Sequence, residues 1–232
     1  MQRTPQPAAE FDDAAADAAC RRALELLHAG QGNPQAVIEP VLRARPDFAA
    51  AHCLRAAGLV MASREDALPA LAATLQTARA HLARASERER AHFAAAQAWL
   101  DKDMARSLRL YGEIAAADPK DTLALRVAHF GDLQFGRTEW LRARIVAALR
   151  HWHPDEPGYG HMLAMYAFGL AETADPVSAE AVGREALRIE PRQCGAVHAV
   201  AHALEMQGRS ADGAAWLDHT RGVWSDSPAF AI

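Results

Sequence analysis

The sequence predicts an all-α fold, a right-handed α-solenoid of about six helical hairpins. Three observations predict it. Half of the 232 residues are hydrophobic and much of that half is alanine, which has the best helix propensity and lets helices approach closely. Apolar residues recur at helical spacing, and no stretch alternates as a strand for more than a few residues. Prolines recur at a nearly constant interval: Pro119 to Pro154 is 35 residues, Pro154 to Pro191 is 37, and Pro191 to Pro228 is 37.

The elements follow in order. Residues 1–12 are polar, carry two prolines and are expected to form a disordered tail; residues 13–232 form one domain. An apolar periodicity from Ala14 to His28 stops at Gly30 and Gly32. Helices follow over 34–45 and 48–62, the first ending against Pro46. Ser63 reads as the cap of a helix reaching Ala83, with Pro69 kinking its second turn. Ser86 and Glu89 form a capping box for a helix with His92, Phe93 and Trp99, broken at Asp101–Asp103. The next helix stops at Pro119. Asp121 caps a helix bearing His129 and ending at Gly136. Thr138 caps one closed by Pro154. Helices are then expected over 159–173, from Pro176 to Pro191 with Asp175 as cap, from Pro191 to Gly208, and from Ser210 to Trp224.

Two helices closed by a proline, repeating near 34 residues, is the tetratricopeptide signature. Counting back from Pro191 places Ala167, Ala179 and Ala186 at the small-residue positions of one hairpin. Counting back from Pro119 places Ala95 and Ser107 there, and the hairpin after Pro191 has Ala201 and Gly213. Arg55 is too large for the same place in an earlier hairpin. The stub Pro228-Ala-Phe-Ala-Ile232 falls where another first helix should begin, and an open array end needs a polar cap. That predicts a chain that continues, that self-associates or docks on a partner through this end, or that packs back on itself.

Composition narrows the function classes. The net charge is −4 with both signs interspersed, as in 86–90, so no basic stripe follows a phosphate backbone and nucleic acid is not an expected partner. Cys20, Cys53 and Cys194 are odd in number and lack CxxC spacing, which reads as reduced thiols in a cytoplasmic protein. The first residues lack a signal-peptide core, and no run of apolar residues is long enough to span a membrane.

MYAFGLAET (165–173), ALRIEP (186–191), AVHAVAHALEMQGR (196–209) and VAHFGDLQFG (127–136) closely resemble the tetratricopeptide repeat protein 38 family, as do Trp152 and Trp224. The resemblance is specific from Asp121 to Ile232 and looser before. It implies the helical-repeat scaffold and no particular activity; some bacterial members are described as regulators of antibiotic-biosynthesis clusters. Family members are roughly twice this length and continue after FAI with a His-Asn-Trp-Trp-His stretch that is absent here.

Between Pro191 and Gly208 one helix aligns His198, His202 and Glu205 on a single stripe, because spacings of four and three share a face. In a tetratricopeptide array the first helix of each pair lines the concave groove. His129, His161, Phe168, His198, His202 and Glu205 fall on such positions, as do His52 and His92. One reading is a groove for a protein, peptide or small-molecule ligand. The other is a metal-binding protein or metal-dependent enzyme, with His198, His202 and Glu205 as ligands of a zinc-like divalent cation and His129 as a fourth ligand or an orienting neighbour. Ala199 follows His198, so the HExxH base is missing. Plain helix-packing histidines remain the third reading. Family pattern adds weight to His129, His198, His202 and Glu205 acting together. Trp99, Trp140, Trp152, Tyr166 and Trp216 read as inter-helix packing. No Walker motif, nucleophile elbow or cysteine–histidine dyad occurs.

Overall fold

Alanine-rich segments bounded by Pro, Gly, Asp and Ser become helices throughout. The structure of the protein, a computed structural model, describes residues 11–227. These hold α1 (Asp13–Ala29), α2 (Pro34–Ala44), α3 (Ala49–Ala62), a 3-10 turn (Glu65–Ala67), α4 (Leu68–Arg79), α5 (Glu87–Leu100), α6 (Met104–Ala117), α7 (Thr122–Gln134), α8 (Thr138–Leu149), α9 (Tyr159–Glu172), α10 (Pro176–Ile189), α11 (Cys194–Met206), α12 (Ser210–His219) and α13 (Arg221–Trp224). No strand occurs among the described residues, so the fold is all-α. None of these helices is long and apolar enough to cross a membrane.

Local chemistry explains most helix ends. The Ser86 hydroxyl accepts from Glu89 N, and the Glu89 carboxylate accepts from Ser86 N, which closes the capping box of α5. Asp12, Asp103, Asp121 and Asp175 cap α1, α6, α7 and α10 through their carboxylates. Six left-handed residues mark the passage from first to second helix of six consecutive pairs: Gly30, Ser63, Lys102, Gly136, Ala174 and Gly208. Such a turn reverses the chain in few residues and favours glycine, since a Cβ crowds the backbone there.

Some boundaries differ from the sequence expectation. Phe11 packs on the core and Asp12 caps α1, so the fold starts two residues earlier than expected; residues 1–10, the rest of the expected tail, lie outside the described residues. Ser63 ends α3 at φ 50° instead of opening a helix, because the turn needs a left-handed residue there. Pro69 sits in the first turn of α4, not the second, where its missing N–H has no partner to lose. Arg137, not Thr138, occupies the cap of α8, drawn there by its N–H to Asp132 O at 2.7 Å. The last expected helix is split, with Thr220 between α12 and α13. The apolar stub at 228–232 lies outside the described residues.

Each helix packs chiefly on its neighbours in sequence, and α1 on α3, α3 on α5 and α9 on α11 add next-but-one contacts. Ala95, Ser107, Ala167, Ala179 and Ala186 are wholly buried where hairpins meet; Gly213 is buried and Ala201 half-buried. Arg55 escapes its crowded place by turning outward to Glu39, 2.8 Å away. Trp99 is buried, and Trp216 donates its indole N–H to Val197 O at 3.1 Å. Trp140 departs from the expectation: it is exposed, between the guanidinium groups of Arg137 and Arg144.

Two packings reach further along the chain, α3 on α7 and the seam at the end of α1. The end of α1 lies against the start of α11 and against α13. The Gln31 amide donates to Val223 O at 2.6 Å and Arg192 O at 3.2 Å, and the Ser227 hydroxyl donates to Gly30 O. This seam places His28 over the faces of α7, α9 and α11 where the candidate residues stand.

Candidate functional site

Three helices present the same stripe to one cavity. From α7 come Arg126, His129, Phe130 and Leu133; from α9, Ala164, Met165 and Phe168; from α11, Cys194, Gly195 and His198. Within α7 the spacing of three, four and seven residues is one helical face. Between helices the register repeats: His129, Ala164 and His198 are 35 and 34 residues apart, and Leu133 and Phe168 are 35 apart. His28 and Gly30 close the cavity from the α1 side, and Gln193 from below α11. Its volume is about 250 Å³.

Phe168 is the ring around which the cavity's imidazoles gather. His129 meets it edge-on with centroids 6.0 Å apart, His198 lies tilted at 5.5 Å and His202 at 6.5 Å. His198 and His202 stack at 6.3 Å. A second, larger cavity of about 430 Å³ lies across α1, lined by Arg21, Glu25, Trp152, His161, Glu190 and Arg192 among others. His28 has a face in each cavity. It stacks on His161 at 5.4 Å. The Gln193 amide donates to His28 O and to His161 Nδ1, both at 2.9 Å, while its carbonyl oxygen caps Gly195 N. Accepting at Nδ1 leaves His161 neutral with its proton on Nε2.

Burial sets the electrostatics. It pushes the His129 pKa down to about 3, with the Arg126 charge adding to the effect and a backbone hydrogen bond to Leu141 opposing it. Burial also holds His28 well below the ordinary histidine value, helped by His161 and Arg126. His161 and His198 are lowered too, chiefly by the protein packed around them. The Arg126 guanidinium is depressed by burial alone. Three polar atoms on the cavity's wall residues are buried without a hydrogen-bond partner among the described residues: His28 Nε2, Arg126 Nε and His129 Nδ1. Buried polar atoms are ordinarily satisfied, and each orphan costs about 1–3 kcal/mol.

The expected residues divide among several places. His129, Phe168 and His198 share the smaller cavity, and His161 lines the larger one. His161 is not in an open groove, because α1 folds over it and leaves it 6% exposed. His202 is half-buried at the edge, its Nε2 3.2 Å from Glu172 Oε1 and its Nδ1 3.6 Å from Glu205 Oε2. Glu205 points to solvent with a 75% exposed side chain. His52 is held by Pro46 O at 2.9 Å, and His92 by the Asp121 carboxylate at 2.8 Å; both are buried, and His52 lines a separate cavity of about 180 Å³ with Glu39 and Arg55. Among the described residues, no three His, Cys, Asp or Glu side chains are placed to hold a metal ion.

Sequence reasoning missed His28, Arg126, Met165 and Gln193. Arg126 was within reach, since it precedes His129 by three residues on the same face. His28 and Gln193 gave no such signal, because their roles depend on the meeting of α1 with α11. No protein-family model matches the chain, and no solved structure matches it.

Proposed function

We propose that this chain is a ligand-binding module: a right-handed, tetratricopeptide-like array whose first helices α7, α9 and α11 form a pocket around Phe168. The observation that carries it is one cavity walled by the repeating faces of α7, α9 and α11, in which the His129 and His198 rings meet Phe168. The 35- and 34-residue register of the lining residues supports the repeat reading, as does the resemblance of 121–232 to the tetratricopeptide repeat protein 38 family. At about 250 Å³ the pocket falls below the roughly 300–1,000 Å³ of drug-sized sites. A compact small molecule, or one or two side chains of a peptide, fits it. Three free, buried thiols support a reducing compartment such as the cytoplasm.

Thermal-shift screening with small polar aromatic and aliphatic fragments tests this. Fragments are expected to raise Tm, and Phe168→Ala is expected to abolish the rise while the variant stays folded. Binding that survives Phe168→Ala would place the site elsewhere. The metal reading is tested in the same assay: a Tm rise with zinc that vanishes in His198→Ala and His202→Ala would replace the ligand pocket by a cation site.

A further inference from the structure

Most half-buried arginines of this fold pair with a carboxylate, as Arg55 does with Glu39 at 2.8 Å and Arg144 with Asp132 at 2.6 Å. Arg126 and Arg142 have no ion pair among the described residues, and of the two Arg126 is the one that lines the cavity. Arg126 is half-buried in α7, its Nε is sealed from solvent without a partner, and no carboxylate acts on its charge. The cavity that it lines has no aspartate or glutamate in its walls. The carboxylates of the adjoining cavity, Glu25 and Glu190, line the space on the other side of His28. A buried guanidinium without a counter-charge is costly to the fold and is retained where something else supplies that charge.

We propose that the smaller cavity binds the carboxylate of a compact organic acid, with Arg126 as its counter-ion and Phe168, Met165 and Leu133 against its apolar body. This rests on the ligand-pocket reading above and names its ligand class. A guanidinium matches a carboxylate in plane and can meet both oxygens at once. The surrounding imidazoles favour a single negative charge over a phosphate: His28 and His129 are held neutral by burial, so Arg126 is the one full cation of the wall. The dianionic part of a phosphate would stand half-compensated among Phe130, Leu133 and Ala164.

The test is calorimetric titration of the whole chain with phenylacetate, benzoate and 3-methylbutanoate, each beside its primary amide, with inorganic phosphate as competitor. The acids are expected to bind at least about tenfold more tightly than amides of the same shape, and phosphate is expected not to displace them. Arg126→Gln and Arg126→Met are expected to erase the preference for acid. Without ligand, Arg126→Met is expected to keep or raise Tm, because the buried charge has no partner to lose. A marked fall in Tm would make the guanidinium structural and overturn the proposal. Amides that bind as well as acids would overturn it while the pocket reading stands. If neither acids nor amides bind, both fall. Displacement by phosphate at equal affinity would overturn the carboxylate assignment.

Discussion

Five of the eleven histidines, His28, His52, His92, His129 and His161, are buried rings. His28, His52, His129, His161 and His198 all have lowered pKa values, with burial as the leading cause. The fold therefore disfavours their protonation, whereas an unfolded chain protonates them from about pH 6.5 downward. The unfolded state then binds more protons than the folded one, so stability falls as the pH drops below that value. For His129, neutral down to about pH 3, the loss between pH 7.5 and 5 is about 2 kcal/mol. Urea denaturation across that range is expected to show it, and His129→Leu is expected to flatten the slope by about that amount; an unchanged slope would mean that the ring is solvated. Asp121 acts at lower pH. Burial opposes its ionisation, but His92 and Arg88 outweigh burial and hold its carboxyl well below the usual range. Its contribution is kept above about pH 4 and lost as the pH falls further. The sequence marked the histidines as a set but not their separate fates, because burial of a ring depends on which helix covers it.

Helix positions were legible at the scale of elements. Pro, Gly, Asp and Ser act within one turn of where they stand, so a capping box such as Ser86–Glu89 needs no tertiary partner. Ser63 and Thr138 were misread because a hydroxyl residue next to a turn fits either side of it, and only the chain path decides. Close helix contact is also written in glycine, with a measurable consequence. A Cβ on Gly169 of α9 would lie 2.9 Å from Arg142 N and 3.0 Å from Leu141 C, both backbone atoms of α8. Backbone cannot swing aside as a side chain can. Gly169→Ala is expected to cost about 1–3 kcal/mol, despite the helix-propensity gain of about 1 kcal/mol. A Cβ on Gly222 of α13 meets nothing within 4 Å, so Gly222→Ala is expected to be neutral or stabilising. Chemical denaturation of the pair gives opposite signs if crowding at α8–α9 governs the first.

Across the whole molecule the deciding feature is the seam of α1 with α11 and α13. Gln193 holds it from one side, donating to His28 O and His161 Nδ1; Gln31 holds it from the other through Val223 O and Arg192 O. Gln193→Ala leaves both acceptors buried and unpaired, at about 1–3 kcal/mol each. Hydrogen exchange is expected to quicken in α1 and at the start of α11 while α5 and α6 keep their protection; uniform quickening would mean that the seam is not a separate unit. By itself the sequence determined the all-α class, most helix boundaries and the shared face of His198 and His202, because these rest on spacing and capping within a few residues. Only the tertiary structure decided that α1 covers His161, that Arg126 is half-buried without a counter-charge, and that Glu205 faces solvent. The seam that brings α1 over His161 joins residues more than 160 positions apart along the chain, and no local pattern encodes which distant surfaces meet.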